Sequence, residues 1–296
     1  MALTPPLPER FFLVALALSA CGPGATSDPP QALLDDTGQE SVPLPYPCED
    51  ETVCEDGLCW VTLCEGRFFM GNRIGTGDRD EHPQHFVAVR RFEMLQSEVT
   101  VGQYAACVDD GVCEPWPDSE EVPARCSWDE EGLDDHPMNC LDWEMAGTFC
   151  AWAGGSLPSE AQWEFAARSR GQDVTYPWGD AEPSCDLLQM HEEDCCGLGT
   201  TCPACSFPAG STEQGICDLS GNIFEWTEDW YHNSYIGAPR GSYPWVEPAY
   251  VLRTMRGGAI GSGVGYRVRN RTYHEPDFFY SGMGARCVRE WVLRDE

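Results

Sequence analysis

The sequence predicts an irregular α+β domain that is rich in disulfides and poor in regular secondary structure. Its 30 glycines and 23 prolines interrupt helices and strands, which argues against a helix bundle. Its 17 cysteines indicate an oxidising compartment. A hydrophobic content of 42% over 296 residues allows a full core, and the net charge of −31 excludes nucleic acid as a partner.

The first 20 residues predict an export signal, in which Arg10 precedes an apolar run over 11–18 that is too short to span a bilayer. Leu18-Ser-Ala-Cys21 resembles a bacterial lipobox, which implies that Cys21 is acylated. An ordinary cleaved secretory signal is the alternative. Residues 21–47 then form a flexible tether. We expect a lipid anchor on the extracytoplasmic side of the cell envelope, and Gly22 fits the outer membrane of a Gram-negative host.

Four cysteines fall within residues 48–64, and we expect two disulfides to staple this short segment in place of a core. The segment lacks the C-x-x-C pairs typical of a zinc cluster, which disfavours zinc. Cys202-Pro-Ala-Cys205 has that spacing, so disulfides, zinc and a redox dithiol all stay open there, with disulfides favoured by the neighbouring cysteines. With Cys21 acylated, the sixteen remaining cysteines suit eight disulfides of unspecified pairing.

Three short segments carry helix start signals. Two are capping boxes, in which Ser or Thr is followed three residues later by Gln, and the third begins with an aspartate. Apolar residues follow each signal at helical spacing. After Ser169, glycine and proline are so frequent that we expect turns and short strands. A short strand is also predicted over 86–89. The predicted helices begin at Thr100, Asp142 and Ser159, and the first two end at Asp109–Gly111 and Gly154.

The main body, residues 65–296, carries ten short motifs in one order. The series resembles the formylglycine-generating enzyme family, also called the sulfatase-modifying factor family. This resemblance implies an irregular α+β fold related to C-type lectin-like domains, with a disulfide between Cys150 and Cys287. The motifs are Phe69-Met-Gly71, Glu98-Val-Thr100, His136-Pro137, Trp143, Phe149–Gly154, Leu157–Arg168, Tyr176–Gly179, Gly221–Thr227, Arg256–Gly258 and Ala285–Cys287.

The sequence lacks the cysteine pair that the chemistry of that family requires. The resemblance implies an oxidase that converts a cysteine of a sulfatase peptide, with copper held by two cysteines after the Arg-Gly-Gly motif. Ser262 and Arg267 occupy those two positions here. A hydroxyl is a poor ligand for cuprous ion and a guanidinium is none, which disfavours copper and the parent reaction. Ser156, Val101 and Ala285 also depart from the family pattern, which indicates that the substrate groove has changed.

Two functions are consistent with this pattern. The first is a surface recognition module for a protein or glycan ligand, bound at the former groove, which residues 261–270 and 278–280 would border. The alternative is a divergent oxidoreductase of the same family that acts on a protein or a small molecule. Arg267, Arg269 and Arg271 alternate like one face of a strand, and we expect them to pair with the chain's own carboxylates.

The resemblance also implies structural calcium. The Gly-Asn-x-x-Glu-Trp motif supplies the side-chain oxygens of Asn222 and Glu225 and the carbonyl of Ile223, which are the hard ligands that calcium prefers. Asp186, with the carbonyl of Leu187, is the counterpart of a second family site. The alternative is that Asn222 and Glu225 only tie a turn through hydrogen bonds.

Overall fold

The computed structural model describes residues 48–116, 126–128, 130–190, 193–260 and 265–292. The predicted signal, Cys21, the tether and Ser262 lie outside these ranges. The described residues form ten strands and three α-helices. In chain order these elements are β1 (Thr52–Glu55), β2 (Leu58–Leu63), β3 (Gly66–Met70), β4 (His85–Val89), β5 (Phe92–Leu95), α1 (Val101–Asp109), α2 (Trp143–Trp152), α3 (Glu160–Ala167), β6 (Phe224–Trp230), β7 (Arg253–Arg256), β8 (Thr272–His274), β9 (Met283–Gly284) and β10 (Val288–Glu290).

The three α-helices begin at the predicted caps. Thr100 Oγ1 accepts a hydrogen bond from the Gln103 amide at 3.3 Å, and Ser159 Oγ accepts one from the Gln162 amide at 3.0 Å. Both capping boxes are complete, and Asp142 caps α2 with its carboxylate. The helices are 8 to 10 residues long, and within the described ranges none is long and apolar enough to cross a membrane. Turns and short strands follow α3 in the described part of the chain, as predicted.

Three sheets organise the domain. The first has the strand order β1-β2-β5-β10, the second pairs β3 with β4, and the third has the order β8-β7-β6-β9. These pairs are antiparallel except for β6 and β9, which are parallel. The register places Trp60 opposite Leu95 in the first sheet and Trp226 opposite Met255 in the third. The first sheet includes β10 and the third consists of β6 to β9, so both four-stranded sheets contain strands from the C-terminal part of the domain.

The N-terminal cysteine-rich segment belongs to the hydrophobic core. Its four cysteines form two disulfides, as predicted, which are Cys48–Cys64 and Cys54–Cys59. Strand β2 of this segment pairs with β5, and Trp60 is only 1% exposed. The expectation that disulfides replace a core here is wrong, because the apolar side chains of β2 are part of the interior.

Helix α3 lies at the centre of the domain. Its Trp163 and Phe165 are fully buried in one hydrophobic cluster with side chains of β2, β3, β4 and β5. A second cluster joins Tyr104 of α1 to Phe149 of α2 and Trp226 of β6. Because α3 packs against β3, β4, β6 and β7, its polar side chains are buried along with its apolar ones.

The sixteen cysteines of the described residues form eight disulfides. Cys150 of α2 bonds to Cys287 across a sequence separation of 137, which is the pairing that the resemblance implies. Cys202 and Cys205 bond to different partners, so this C-x-x-C pair is neither a dithiol nor half of a zinc site. The other pairs are Cys107–Cys113, Cys126–Cys140, Cys185–Cys195, Cys196–Cys202 and Cys205–Cys217.

Candidate functional site

A network of ion pairs, in which three arginines contact two glutamates, is buried around α3. Arg256 donates to Glu160 at 2.8 Å and to Glu164 at 2.7 Å. Arg271 also donates to Glu160, at 2.6 Å, and Arg168 donates to Glu164 at 3.0 Å. Burial acts to raise the pKa of both glutamates, but the arginines outweigh burial and leave each pKa lowered. The network therefore holds two ionised carboxylates in the interior at neutral pH.

A second buried cluster surrounds Arg286. Its guanidinium donates to Glu225 at 2.7 Å and to the main-chain carbonyls of three other residues. The Trp163 indole N–H donates to the other oxygen of Glu225 at 2.7 Å. Both Arg286 and Glu225 are 0% exposed. Glu225 is therefore already paired and hydrogen-bonded on both oxygens.

This second cluster contains more acid than base. Burial, followed by the charges of Asp218 and Glu225, raises the pKa of Glu98 well above its usual range. Burial raises the pKa of Asp218 to about 6, although Asp218 accepts a hydrogen bond from the Cys205 amide at 2.5 Å. Buried carboxylates that outnumber their cations favour either protonation or a bound metal ion. In the α3 network, by contrast, the arginines outnumber the glutamates that they contact.

The predicted calcium ligands lie in this acid-rich cluster. The Asn222 side chain and the Ile223 amide both donate to Glu98, at 2.8 Å and 3.2 Å. These contacts, with those of Glu225, are the ones that the hydrogen-bonding alternative predicts. The donor chemistry still fits a hard cation, because Glu98 and Asp218 add carboxylate oxygens beside the predicted ligands.

The second predicted calcium pair, Asp186 and Leu187, lies in a turn of the cystine-rich segment 185–217. The Asp186 residue is exposed, and the Leu187 amide donates to the Ser184 carbonyl at 2.9 Å. Within the described residues, no cluster of three metal-ligating His, Cys, Asp or Glu side chains includes Asp186. A calcium ion at this pair stays a prediction.

At the second copper position of the family, Arg267 forms ion pairs. Its Nη2 atom donates to Asp78 at 2.7 Å and to Glu81 at 2.9 Å, and Asn270 donates to the same Asp78 oxygen at 2.9 Å. The Arg267 side chain is 33% exposed, whereas that of Glu81 is fully buried. Burial lowers the pKa of Arg267, but Glu81 and Asp78 outweigh burial and leave it raised. The residue is a paired cation with no capacity to ligate a metal.

The neighbouring arginines also pair with the chain's own carboxylates, as predicted. Arg269 donates to Asp173 at 2.6 Å, and Arg271 donates to Glu160 at 2.6 Å. The expectation that these arginines share one face of a strand is wrong. A main-chain hydrogen bond of 2.9 Å closes a turn over 267–270, and β8 begins only after it. The turn directs successive arginines to separate partners.

Aromatic side chains lie beside Arg267. Tyr176 is close enough for its charge to influence the pKa of Arg267, and its ring stacks on Trp178 with centroids 4.9 Å apart. Residues 278–280 are the predicted aromatic border. The ring of Phe278 stacks on that of His274, with centroids 3.8 Å apart. Tyr176 and Trp178 therefore form one stacked aromatic pair near Arg267, and a contribution from 278–280 to a binding surface stays a prediction.

Sequence reasoning missed the acidic partners of Arg267. Asp78 and Glu81 lie 189 and 186 residues away along the chain, where Asp78 precedes and Glu81 ends the 3₁₀ turn Arg79–Glu81. Acidic residues close together near a turn were the one available signal, and they usually mark a solvated surface. In the same way, Asp218 lies near the predicted calcium ligands without any spacing that distinguishes it.

The fold and these clusters define a class of small α+β domains, which are rich in disulfides and bury ion pairs between short helices and strands. Residues 51–291 match the sulfatase-modifying factor enzyme 1-like domain. The chain therefore belongs to the sulfatase-modifying factor family, which confirms the resemblance drawn from its motifs. The irregular, disulfide-rich α+β architecture confirms the predicted fold class.

The chain is similar to several known proteins. The formylglycine-generating enzyme of Streptomyces coelicolor is 28% identical over 283 residues, which cover 78% of this chain and 88% of that enzyme. The serine/threonine-protein kinase pkn1 of Chlamydia caviae is 30% identical over 237 residues, which cover 76% of this chain but 37% of the kinase. The solved structure of PvdO from Pseudomonas aeruginosa has a TM-score of 0.72 at 25% identity, and the match covers 83% of this chain and all of PvdO.

Proposed function

We propose that the protein is a lipid-anchored recognition module. Its sulfatase-modifying factor domain binds a protein or glycan ligand at the groove beside Arg267 and does not perform copper-dependent oxidation. The observation that carries this proposal is the ion pairing of Arg267 with Asp78 and Glu81 at a copper-ligand position. In addition, every cysteine of the described residues is in a disulfide, whereas cuprous ion selects soft thiolate ligands.

The side chains at this groove suit binding. Tyr176, Trp178 and Arg267 are of the residue types that are enriched in binding hot spots. All three are partly exposed and lie on segments without regular secondary structure, which a rigid scaffold positions. The covalent scaffold includes the disulfide between Cys150 and Cys287.

A copper-retention measurement tests the first half of the proposal. Purified mature protein is loaded with cuprous ion, desalted and analysed for metal, beside the Streptomyces coelicolor enzyme as a control. We expect far less than one copper per chain, because no thiolate pair is present in the described residues. Near-stoichiometric copper or iron would favour the alternative function, a divergent oxidoreductase of this family.

Ligand arrays test the second half. We expect Trp178→Ala to weaken binding to any glycan or peptide that the wild-type protein captures, because it removes an aromatic face beside Arg267. Tyr243→Ala is the control, since Tyr243 is an aromatic residue that is 64% exposed and lines a pocket with Glu160 and Trp245. Equal losses in the two variants would place the binding surface elsewhere.

The lipid anchor is part of the proposal. Acylation of Cys21 would hold the domain at the extracytoplasmic side of the cell envelope, with residues 22–47 as the tether. Incorporation of labelled palmitate into the wild-type protein, and its loss in Cys21→Ser, is the expected result. Release of both proteins into the medium would instead support an ordinary secretory signal.

We also propose that calcium binds the acid-rich cluster around Asn222. The oxygens that would hold it belong to Asn222, Ile223, Glu225 and the neighbouring Asp218, and the ion would supply the positive charge that this cluster needs. We expect calcium to raise the midpoint of thermal unfolding relative to chelator, and Asp218→Asn to reduce this gain. An unchanged gain in Asp218→Asn together with its loss in Asp186→Asn would place the calcium at the second predicted pair.

A further inference from the structure

The outer face of the sheet formed by β3 and β4 presents an arginine beside aromatic rings. The register places Arg67 opposite Ala88 and Phe69 opposite Phe86. The residues that alternate with these two along β3 are buried, whereas Arg67 is exposed and Phe69 is 57% exposed. The rings of Phe69 and Phe86 meet edge to face, with centroids 5.9 Å apart. A cation and an apolar ring therefore reach solvent together on this face.

Residues 240–242 extend this face as a third row. The Ala88 amide donates to the Arg240 carbonyl at 2.8 Å, and Ala88 forms a parallel bridge with Gly241. Just after β4, the Arg90 amide donates to Ser242 Oγ at 3.2 Å. Because Arg90 and Arg240 are both exposed, the fold brings together two surface arginines that are far apart along the chain. We call the following residues the arginine face: Arg67, Phe69, Phe86, Arg90 and Arg240.

The arginine face differs from the rest of the chain in charge. Its three rows contain three arginines and no Asp or Glu, although the chain has 49 acids against 18 bases. The rows are residues 66–70, 85–90 and 240–242. Glu65, next to β3, is paired with Arg91 at 3.0 Å. Within the described ranges, no ion pair includes Arg90 or Arg240. The face is therefore a local cation on a strongly anionic protein.

Guanidinium groups beside an exposed aromatic ring suit the surface of a bilayer. A guanidinium can donate two parallel hydrogen bonds to a phosphate, which is the anionic group of lipid headgroups. An exposed Phe ring gains by burial at the boundary between headgroups and acyl chains. An acidic polypeptide would pair with the arginines, but it offers no apolar layer to Phe69. The composition of the arginine face therefore favours anionic lipid over an acidic protein.

We propose that the arginine face lies against the anionic headgroups of a bilayer and sets the orientation of the anchored domain. This inference rests on the proposed lipid anchor at Cys21. The net charge of −31 repels the free protein from the same bilayer. The anchor therefore supplies the attachment, and the arginine face selects which side of the domain turns towards the lipid.

The length of chain between the anchor and the domain makes this contact possible. Residues 22–47 separate Cys21 from the first described residue, and a flexible chain of that length has a root-mean-square reach of about 30 Å. The domain then stays at a high effective concentration beside the bilayer. Under that condition, a contact too weak to bind the free protein is enough to fix its orientation.

Arginine labelling on vesicles tests this inference. The mature protein is coupled through the Cys21 thiol to maleimide lipid in vesicles of phosphatidylethanolamine and phosphatidylglycerol. Modification of each arginine by phenylglyoxal is then followed by mass spectrometry. We expect Arg90 and Arg240 to react about fivefold more slowly than in uncoupled protein, because arginines near an anionic surface favour the bound orientation. Arg79 is the internal control, since it is exposed between Asp78 and Asp80, and its rate should not change.

Two variants and a matched control sharpen the test. Phe69→Ser removes the exposed ring and Arg240→Gln removes one cation, so each should restore much of the modification rate of Arg90 on coupled vesicles. Ile74→Ser should leave the protection of Arg90 unchanged, because Ile74 is 91% exposed but is not part of the arginine face. Vesicles of phosphatidylcholine alone should protect Arg90 less than the anionic vesicles do.

Four results would overturn the inference. An unchanged rate of Arg90 on coupled vesicles would show no contact, and equal slowing of Arg79 and Arg90 would show general crowding by the vesicle. Slowing by inorganic phosphate alone would show a site for a free anion. Slowing by a poly-glutamate peptide as strong as that on vesicles would assign the face to an acidic polypeptide. Because the coupling is chemical, none of these results bears on acylation of Cys21, whereas absence of the palmitate label in cells would contradict the anchor itself.

Discussion

The interior around α3 and the surface around Arg267 differ in how closely they follow the family. Glu160, Glu164 and Arg256 belong to family motifs, and in the structure they form a buried ion network. At the two positions that the family resemblance assigns to copper ligands, the sequence has Ser262 and Arg267. The motifs that establish the family are thus residues that hold the fold. They identify the scaffold without establishing a reaction.

The largest effect should come from the long-range disulfide of this scaffold. Replacing Cys150 and Cys287 together by serine should cost about 5 kcal/mol of unfolding free energy, because the bond closes a loop with a sequence separation of 137. Removing Cys107–Cys113, with a separation of 6, should cost about 2 kcal/mol. Urea unfolding measures both. Equal losses would show that loop closure does not set the contribution of the long-range bond.

Breaking the buried network around α3 should have the next largest effect. Arg256→Ala leaves Glu160 and Glu164 with less positive charge in the interior, and we expect a loss of about 4 kcal/mol. Arg267→Ala is the comparison in the groove. Its pair with Asp78 is partly solvated, but Glu81 is fully buried and loses its cation, so we expect a smaller loss of about 2 kcal/mol. A groove variant as unstable as the interior variant would contradict the distinction between the two regions.

The smallest of these effects should be a dependence of stability on pH that originates in the acid-rich cluster. Burial raises the pKa of Asp218 to about 6, above its value of about 4 in an unfolded chain. Its contribution to stability is therefore fully present below about pH 4 and is lost as the pH rises through about 6. Asp218→Asn should flatten this part of the stability profile, measured by urea unfolding between pH 4 and pH 8.

Calcium provides the control for that measurement. A bound cation favours the ionised carboxylate, so calcium should reduce the loss of stability on the alkaline side in the wild-type protein and have less effect in Asp218→Asn. A profile that is the same for the two proteins, with and without calcium, would show that Asp218 neither titrates in this range nor binds the ion.

The parts of the fold that depend on local sequence could be predicted. The three helix starts at Thr100, Asp142 and Ser159 follow from hydrogen bonds between residues three positions apart. The burial of Trp60 could not be predicted in this way, because it depends on pairing between β2 and β5, which the spacing of cysteines in that segment does not reveal. Disulfide density alone suggested a stapled segment where the chain forms a core strand.

Of the candidate site, only Arg267 could be located from the sequence, because it stands at a position that the family resemblance assigns to copper. The family motifs located Arg267 by its distance from Arg256, but its partners Asp78 and Glu81 lie more than 180 residues away. Ion pairs over such separations are set by how the chain packs, and one sequence contains no periodicity that reports them. For the same reason, the acid excess beside Asn222 became visible only when Glu98 and Asp218 were seen together.

We propose that this member of the family is not a copper oxidase, and an activity assay tests this proposal most directly. The mature protein and the Streptomyces coelicolor enzyme are each loaded with cuprous ion in air and mixed with a cysteine-containing sulfatase-motif peptide, whose mass is followed. We predict no conversion by this protein while the reference enzyme converts the peptide. Formation of the aldehyde by this protein would contradict the claim and show that the missing cysteine pair is dispensable.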